Sequence, residues 1–271
     1  MLSSFSFSAA LKALSFAYAA FCPMESLTTW TCEWCDHTTV KNSTTVTTDE
    51  LTGAYGYVTA WQNASTIVTA FRGSFDVMNW VLDLDAVQTN PFQHLPNVSV
   101  HAGFFDAYMS IQPQVVAGVE RALTACPHCS ELLATGHSLG AAIAGHAAFD
   151  LSARFPGLRV TLINFGMPRI GNEAFAAQFA RRVAESWRCV HFEDLVPHLP
   201  FRNWLPYDYH HVAREVWWTQ EGGDPSTAFK VCDDSGEDPT CSDSIPLWNW
   251  NPADHGTYLG VANDNCKQRK K

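Results

Sequence analysis

Ser138 stands between two glycines in the run Gly136-His137-Ser138-Leu139-Gly140. This is the G-x-S-x-G spacing of a nucleophile elbow, where a strand turns sharply into a helix and leaves the serine hydroxyl on the turn. A hydroxyl is a poor nucleophile until a base takes its proton, and the base needs a third group to orient it. For such an elbow the partners follow in the order serine, acid, histidine. Downstream the chain offers Glu193-Asp194-Leu195-Val196-Pro197-His198 and Ala253-Asp254-His255-Gly256-Thr257-Tyr258. Asp194 follows the strand-like run Cys189-Val190-His191-Phe192 and opens a loop, a good position from which to reach an imidazole. His255 sits on a late loop rich in Pro, Asn and Gly. His191, His198, His210 and His211 also follow the serine, so spacing alone leaves the choice of base open. The chemistry in prospect is acyl transfer, in which attack on a carbonyl puts negative charge on its oxygen and calls for an oxyanion hole.

The five-residue pattern alone is a weak signal, because a glycine-bracketed serine can equally be the N-cap of a helix. Its flanks strengthen it. Glu131-Leu132-Leu133-Ala134-Thr135 reads as a short strand. Ser138 to Phe155 is Ala-rich with no internal proline, and Phe155-Pro156-Gly157 ends it as a helix. One oxyanion donor should then be the backbone N–H of Leu139, at a helix N-terminus where free amides point outward. The second should come from an earlier loop, and Phe71-Arg72-Gly73-Ser74 follows the strand-like Thr66–Phe71. In the next segment, 75–87, Val77, Trp80, Val81 and Leu84 recur at i, i+3, i+4 and i+7. They form one apolar helical face, with Asp76, Asn79, Asp83 and Asp85 elsewhere on the wheel. Such a face ordinarily means a surface helix packed on the core. Other strand-like runs are Tyr55–Trp61, Val98–His101, Arg159–Phe165, Arg188–Phe192 and Val212–Thr219. Helical runs are Gly103–Ala125 and Asn172–Glu185. The alternation after about residue 100 predicts an α/β fold with a central, mostly parallel sheet flanked by helices, the earlier strands forming a hairpin beside it. No repeat, charge block or linker divides the chain, so residues 1–271 are read as one domain.

Taken in order, the motifs resemble those of the class 3 lipases, the family of the secreted fungal triacylglycerol lipases. They are Ala70-Phe71-Arg72-Gly73-Ser74, Asn79-Trp80-Val81-Leu82-Asp83-Leu84, His101-Ala102-Gly103-Phe104, and the elbow. Asn164-Phe165-Gly166-Met167-Pro168-Arg169-Ile170-Gly171-Asn172, Asp194-Leu195-Val196-Pro197-His198-Leu199-Pro200 and Asp254-His255-Gly256-Thr257-Tyr258 follow. The resemblance covers nearly the whole chain. It implies an α/β-hydrolase fold, with Ser138 as nucleophile, Asp194 as orienting acid and His255 as base. It points to Ser74 as the second oxyanion donor. It also makes segment 75–87 a lid, with Val77, Trp80, Val81 and Leu84 hidden over the cleft in water and presented to lipid when open. A charge pair in the family falls on Arg72 and Asp83 and would latch the open form. Disulfides implied by the resemblance are Cys22–Cys266, Cys32–Cys35 and Cys232–Cys241. Close spacing adds Cys126–Cys129, which leaves Cys189 over as a buried thiol.

The activity so implied is hydrolysis of acylglycerol esters at a lipid–water interface, without cofactor or metal. Alternatives are a phospholipase A1, a galactolipid lipase, a soluble feruloyl-type esterase, and a lipase-like protein that binds without turnover. Composition agrees with a secreted enzyme. The nine cysteines suggest an oxidising compartment, and the sequons at Asn42, Asn63 and Asn97 fit secretion. The formal charge of −10 argues against nucleic acid and against electrostatic adsorption to anionic membranes. A monomer without a transmembrane anchor is expected. Ala9 to Cys22 is read as a structural helix ending at a cysteine rather than as a signal peptide, which would lie upstream. The basic run after Cys266 is read as a solvated tail.

Overall fold

The structure, a computed structural model, describes residues 4–35 and 43–266. The sequon at Asn42 and the basic tail beyond Cys266 lie outside the described residues, as do the side chains of Val77 and Trp80. Eight strands form the main sheet: β1 (Thr45–Thr48), β2 (Tyr55–Trp61), β3 (Thr66–Phe71), β4 (Glu131–Gly136), β5 (Arg159–Phe165), β6 (Glu185–His191), β7 (Glu215–Trp218) and β8 (Phe229–Val231). They lie side by side in chain order. Pairing is antiparallel from β1 to β3, parallel from β3 through β7, and antiparallel again at β8. The main helices are α1 (Phe7–Ala19), α2 (Val77–Leu82), α3 (Ala102–Ala125), α4 (Leu139–Arg154) and α5 (Glu173–Arg182). This is the α/β-hydrolase architecture.

The central strands are buried on both faces, as parallel strands between helix layers must be. Alternate residues feed two cores. Ile67 and Phe71 of β3, with Leu132 and Ala134 of β4, pack against α3 and α4. Val68, Ala70 and Leu133 face the other way, into the layer built by Ala13, Leu14 and Tyr18 of α1. Cys22 bonds to Cys266, fastening the end of that layer to the far end of the chain. Cys32–Cys35, Cys126–Cys129 and Cys232–Cys241 are also bonded, and Cys189 is a buried free thiol that burial keeps protonated.

The strand read over Arg188–Phe192 becomes Glu185–His191, and three other expected extents change. The helix read over Asn172–Glu185 ends at Arg182, because Glu185 and Ser186 are taken up by β6 against Thr161 and Leu162. The strand read over Val212–Thr219 shortens to Glu215–Trp218, and that over Val98–His101 to Val100–His101. In each case pairing with a neighbouring strand, rather than local propensity, decides the boundary. The edge strands β1 and β8 carry no strong local signal and were not read from sequence.

Candidate active site

The elbow forms where β4 passes into α4. Ser138 adopts φ +61° and ψ −128°, a left-handed conformation that a residue with a Cβ takes only under constraint. The constraint is visible on both sides. A Cβ on Gly136 would stand 2.3 Å from the Gly140 carbonyl oxygen, and one on Gly140 would stand 2.1 Å from that of Phe71. Both glycines are therefore required by close backbone approach. The Ser138 amide donates to the Phe165 carbonyl at 2.9 Å, pinning the turn to the end of β5.

Asp194 and His255 arrive from two loops beyond the parallel strands. Asp194 follows β6 and is fully buried. Its Oδ1 accepts the Val196 amide at 2.9 Å. Its Oδ2 is 2.8 Å from His255 Nδ1 and also accepts from the Tyr258 hydroxyl. Burial alone would push this carboxyl up; the charge and hydrogen bond of His255, with those of Tyr258 and Val196, outweigh it and hold Asp194 below the usual carboxylate range. The His255 carbonyl is held at 2.8 Å by Nε2 of His137, the residue before Ser138, and the two imidazoles lie 4.4 Å apart. Among the described residues, Ser138 Oγ and His255 Nε2 are buried with no hydrogen-bond partner. The two atoms between which a proton would pass are thus both uncommitted.

The other histidines are engaged elsewhere. His191 Nδ1 is 2.9 Å from the Asp254 carbonyl. His198 stacks on Trp250. His210 and His211 hold the carbonyls of His211 and Pro197. Tyr258 and His137 support the Asp194–His255 pair and were not singled out from sequence, although both stand inside motifs that were. Tyr258 lies three residues after His255.

Ser74 and Leu139, the expected oxyanion donors, line one cavity of about 420 Å³ together with Asp83, Leu84 and His101. The Leu139 amide is the first of α4, where no intrahelical acceptor exists. Gly73 lets the earlier loop close on the elbow, since a Cβ there would be 2.9 Å from that of Ser138. Segment 75–87 leaves this loop as the short helix α2, capped by Asp76, whose Oδ1 accepts the Asn79 amide at 3.0 Å. Leu84 lies beyond the helix. Val81 and Leu84 are half-buried, while Phe75, Met78 and Leu82 are exposed on the same segment. Arg72 does not pair with Asp83 here. Its guanidinium is sandwiched between the rings of Tyr55 and Phe75, 4.7 Å from each, and donates to the Gly53 carbonyl.

Beside the site lies a buried ion network that sequence reading missed. Arg169 meets Glu237 through two 2.8 Å bonds and donates to the carbonyls of His198 and Pro200. Arg188, fully buried on β6, reaches Glu215 of β7 at 3.2 Å. These bonds hold the loop after Asp194 against the sheet.

Residues 68–204 match the profile of the family described as Lipase (class 3). The chain is 34% identical over 245 residues to a lipase of Rhizomucor miehei, a match covering 88% of this chain and 64% of that protein. It is 34% identical over 170 residues to a secreted mono- and diacylglycerol lipase of Penicillium cyclopium, covering 62% of this chain and 53% of the relative. It therefore spans somewhat less than two thirds of these relatives. Among solved structures, lipase II from Rhizopus niveus superposes with a TM-score of 0.85 at 28% identity over 96% of both chains. A triacylglycerol lipase whose catalytic centre is described as a serine protease triad superposes at 0.83, with 28% identity over 98% of both. On its motifs, its fold and this profile, the chain belongs to the class 3 lipase family.

Proposed function

We propose that this protein is a secreted serine lipase that hydrolyses the carboxylic esters of acylglycerols at a lipid–water interface. The observation that carries the reading is the buried Asp194–His255 pair set against an elbow whose Ser138 hydroxyl is uncommitted. In the reaction, Ser138 Oγ attacks the ester carbonyl as His255 Nε2 takes its proton. Asp194 keeps the imidazole in the tautomer with Nδ1 protonated and stabilises the imidazolium. The amides of Leu139 and Ser74, with the Ser74 hydroxyl, receive the oxyanion. His255 then protonates the departing alcohol, and a water, activated by the same imidazole, releases the fatty acid from Ser138. Ser, His, Asp and backbone amides suffice, so no cofactor enters.

Lipid rather than soluble ester is favoured by the apolar segment 75–87, the proposed lid, and by relatives that are themselves lipases. Secretion is supported by four disulfides. No helix among the described residues is long and apolar enough to cross a membrane. The test is a substrate panel. The protein should hydrolyse a short-chain nitrophenyl ester and emulsified acylglycerols, and a fluorophosphonate should label Ser138 alone. Labelling of another serine, or an inert protein on every ester, overturns the reading.

A further inference from the structure

Two loops beside the site carry large apolar side chains in full view of solvent. Leu205 is 88% exposed and Trp248 is 85% exposed, with Leu247, Phe201 and Trp204 also exposed. They are not scattered. Trp250 stacks on His198 at 4.2 Å between ring centroids, Phe201 stacks on Trp250 at 5.8 Å, and Trp204 stacks on Phe201 at 5.4 Å. Leu247 and Trp248 belong to the turn that ends at Trp250, whose indole N–H donates to the Ile245 carbonyl at 3.1 Å. We propose that residues 199–207 and 245–253 together form a lid-independent anchor for an uncharged lipid surface. The proposal rests on the lipase reading and adds a second contact to it.

Charge selects the occupant. In a chain of net charge −10, residues 245–253 contain no charged side chain and residues 199–207 contain only Arg202. The Arg202 guanidinium is itself spoken for, 4.0 Å from both Glu237 and Asp243. A protein partner of ordinary specificity is met by a charged, polar rim around an apolar centre. Here the charge is confined to one edge, Arg202 with Asp208 and Asp243, while the two loops are otherwise uncharged, and an ester surface without net charge asks for no more. The tryptophans add an amphipathic ring suited to the boundary between oil and water. An apolar patch of this kind on a soluble protein marks a contact surface.

The platform is preformed, so little ordering is lost on contact. Pro200, Pro206, Pro246 and Pro252 bracket its loops. It is also fastened to the triad. The Asn251 amide donates to the Glu193 carbonyl at 2.8 Å, Asn251 bridges Asp194, and the Asn249 side chain reaches Glu193 Oε1 at 3.0 Å. The segment after the lid is tied to the end of the first loop, since the Gln88 side-chain Nε2 donates to the Asp208 carbonyl at 2.6 Å. An enzyme seated on this platform would hold its lid and active-site mouth against the droplet before the lid moves.

The test separates binding from turnover. In a Ser138→Ala background, partition onto an emulsion of a non-hydrolysable dialkylglycerol ether is measured by sedimentation. Trp248→Ser with Leu205→Asp should weaken partition by ~30-fold, from the apolar burial lost, with an unchanged melting temperature as the folding control. Met78→Ser with Leu82→Ser on the lid should leave most of the partition in place. Equal partition of the platform variant and its parent overturns the proposal. So does loss of all partition on changing the lid alone. A concentration-dependent dimer abolished by Trp248→Ser would assign the patch to a second copy of the chain and overturn it as well. If the active protein binds droplets but hydrolyses no acylglycerol, the functional reading fails while the anchor stands. If it hydrolyses them and the platform variant partitions normally, the reverse holds.

Discussion

At the scale of single residues, the proposed chemistry depends on a few atoms held without slack. Ser138→Ala should lower turnover of a soluble ester by several orders of magnitude with the fold intact, measured by nitrophenyl ester hydrolysis and circular dichroism. His255→Ala should match it. His198→Ala should cost far less, because His198 stacks on Trp250 and does not touch Asp194. Tyr258 is a positioning residue. Tyr258→Phe removes one of the hydrogen bonds on the buried Asp194 carboxylate and should lower kcat by about tenfold, the scale of a hydrogen bond to a charged group, with KM for a short ester unchanged. A rise in KM with kcat preserved would show that Tyr258 shapes substrate binding instead. The serine was legible from its two glycines and the acid from its place after a strand. The histidine was not, because six imidazoles follow Ser138 and what distinguishes His255 is a contact with Asp194 across 61 residues. Only the whole string of family motifs singled it out.

At the scale of elements, the boundaries that local pattern misjudged are those fixed by distant partners. Glu185 lies in a plausible continuation of α5 and becomes strand because Thr161 awaits it on β5. The proposed lid illustrates the opposite case. Its apolar periodicity runs to Leu84, yet the helix closes at Leu82, six residues being too few to sustain a helix without outside packing. Such an element is held by what it covers, and Val81 and Leu84 supply the half-buried contacts. We expect interfacial activation: the hydrolysis rate plotted against ester concentration should jump where the substrate exceeds its solubility. Leu84→Asp should impair activity on emulsions much more than on soluble short esters. Smooth saturation through the solubility limit, with equal impairment on both substrates, would make this segment ordinary packing. Arg72, clamped between Tyr55 and Phe75, must leave those rings before it can pair with Asp83. Arg72→Ala should therefore change the activation step rather than hydrolysis of soluble ester.

At the scale of the whole molecule, buried titratable groups set how the fold answers acid. Burial keeps His137 and His146 neutral down to about 3 and His101 down to about 4, from an ordinary value of 6.5. Below pH 6.5 the unfolded chain takes up protons that the folded chain refuses, so stability falls as pH drops from 6.5 towards 3. Glu237 adds to the same trend. Burial would raise it, but the Arg169 hydrogen bonds and neighbouring positive charge prevail and lower it from 4.5 to about 2. Its contribution is present above 4.5 and lost as pH falls towards 2. Urea unfolding should show a plateau near neutrality and a steady decline below pH 6.5. His146→Leu should make that decline shallower by roughly 1.4 kcal/mol per pH unit in its middle range, the slope of one proton. Glu237→Gln should cost about 3 kcal/mol at pH 7 by stranding part of the buried Arg169 charge. Composition and alternation of elements foretold the α/β class. Nothing local foretold that Arg169 would find Glu237 across 68 residues, because burial of a charge depends on its distant partner.

The bond between Cys22 and Cys266 makes the chain a covalent ring in which 244 residue steps lie between the two sulfurs. A single cut in a surface loop such as that around Leu51 would not release a fragment; it would leave two polypeptides joined through the Cys22–Cys266 bond. Resistance to neighbouring proteases should therefore survive the first nick and fail at the second. A nicked sample should run as one species on a non-reducing gel, keep its esterase activity, and fall into two pieces only when thiol is added.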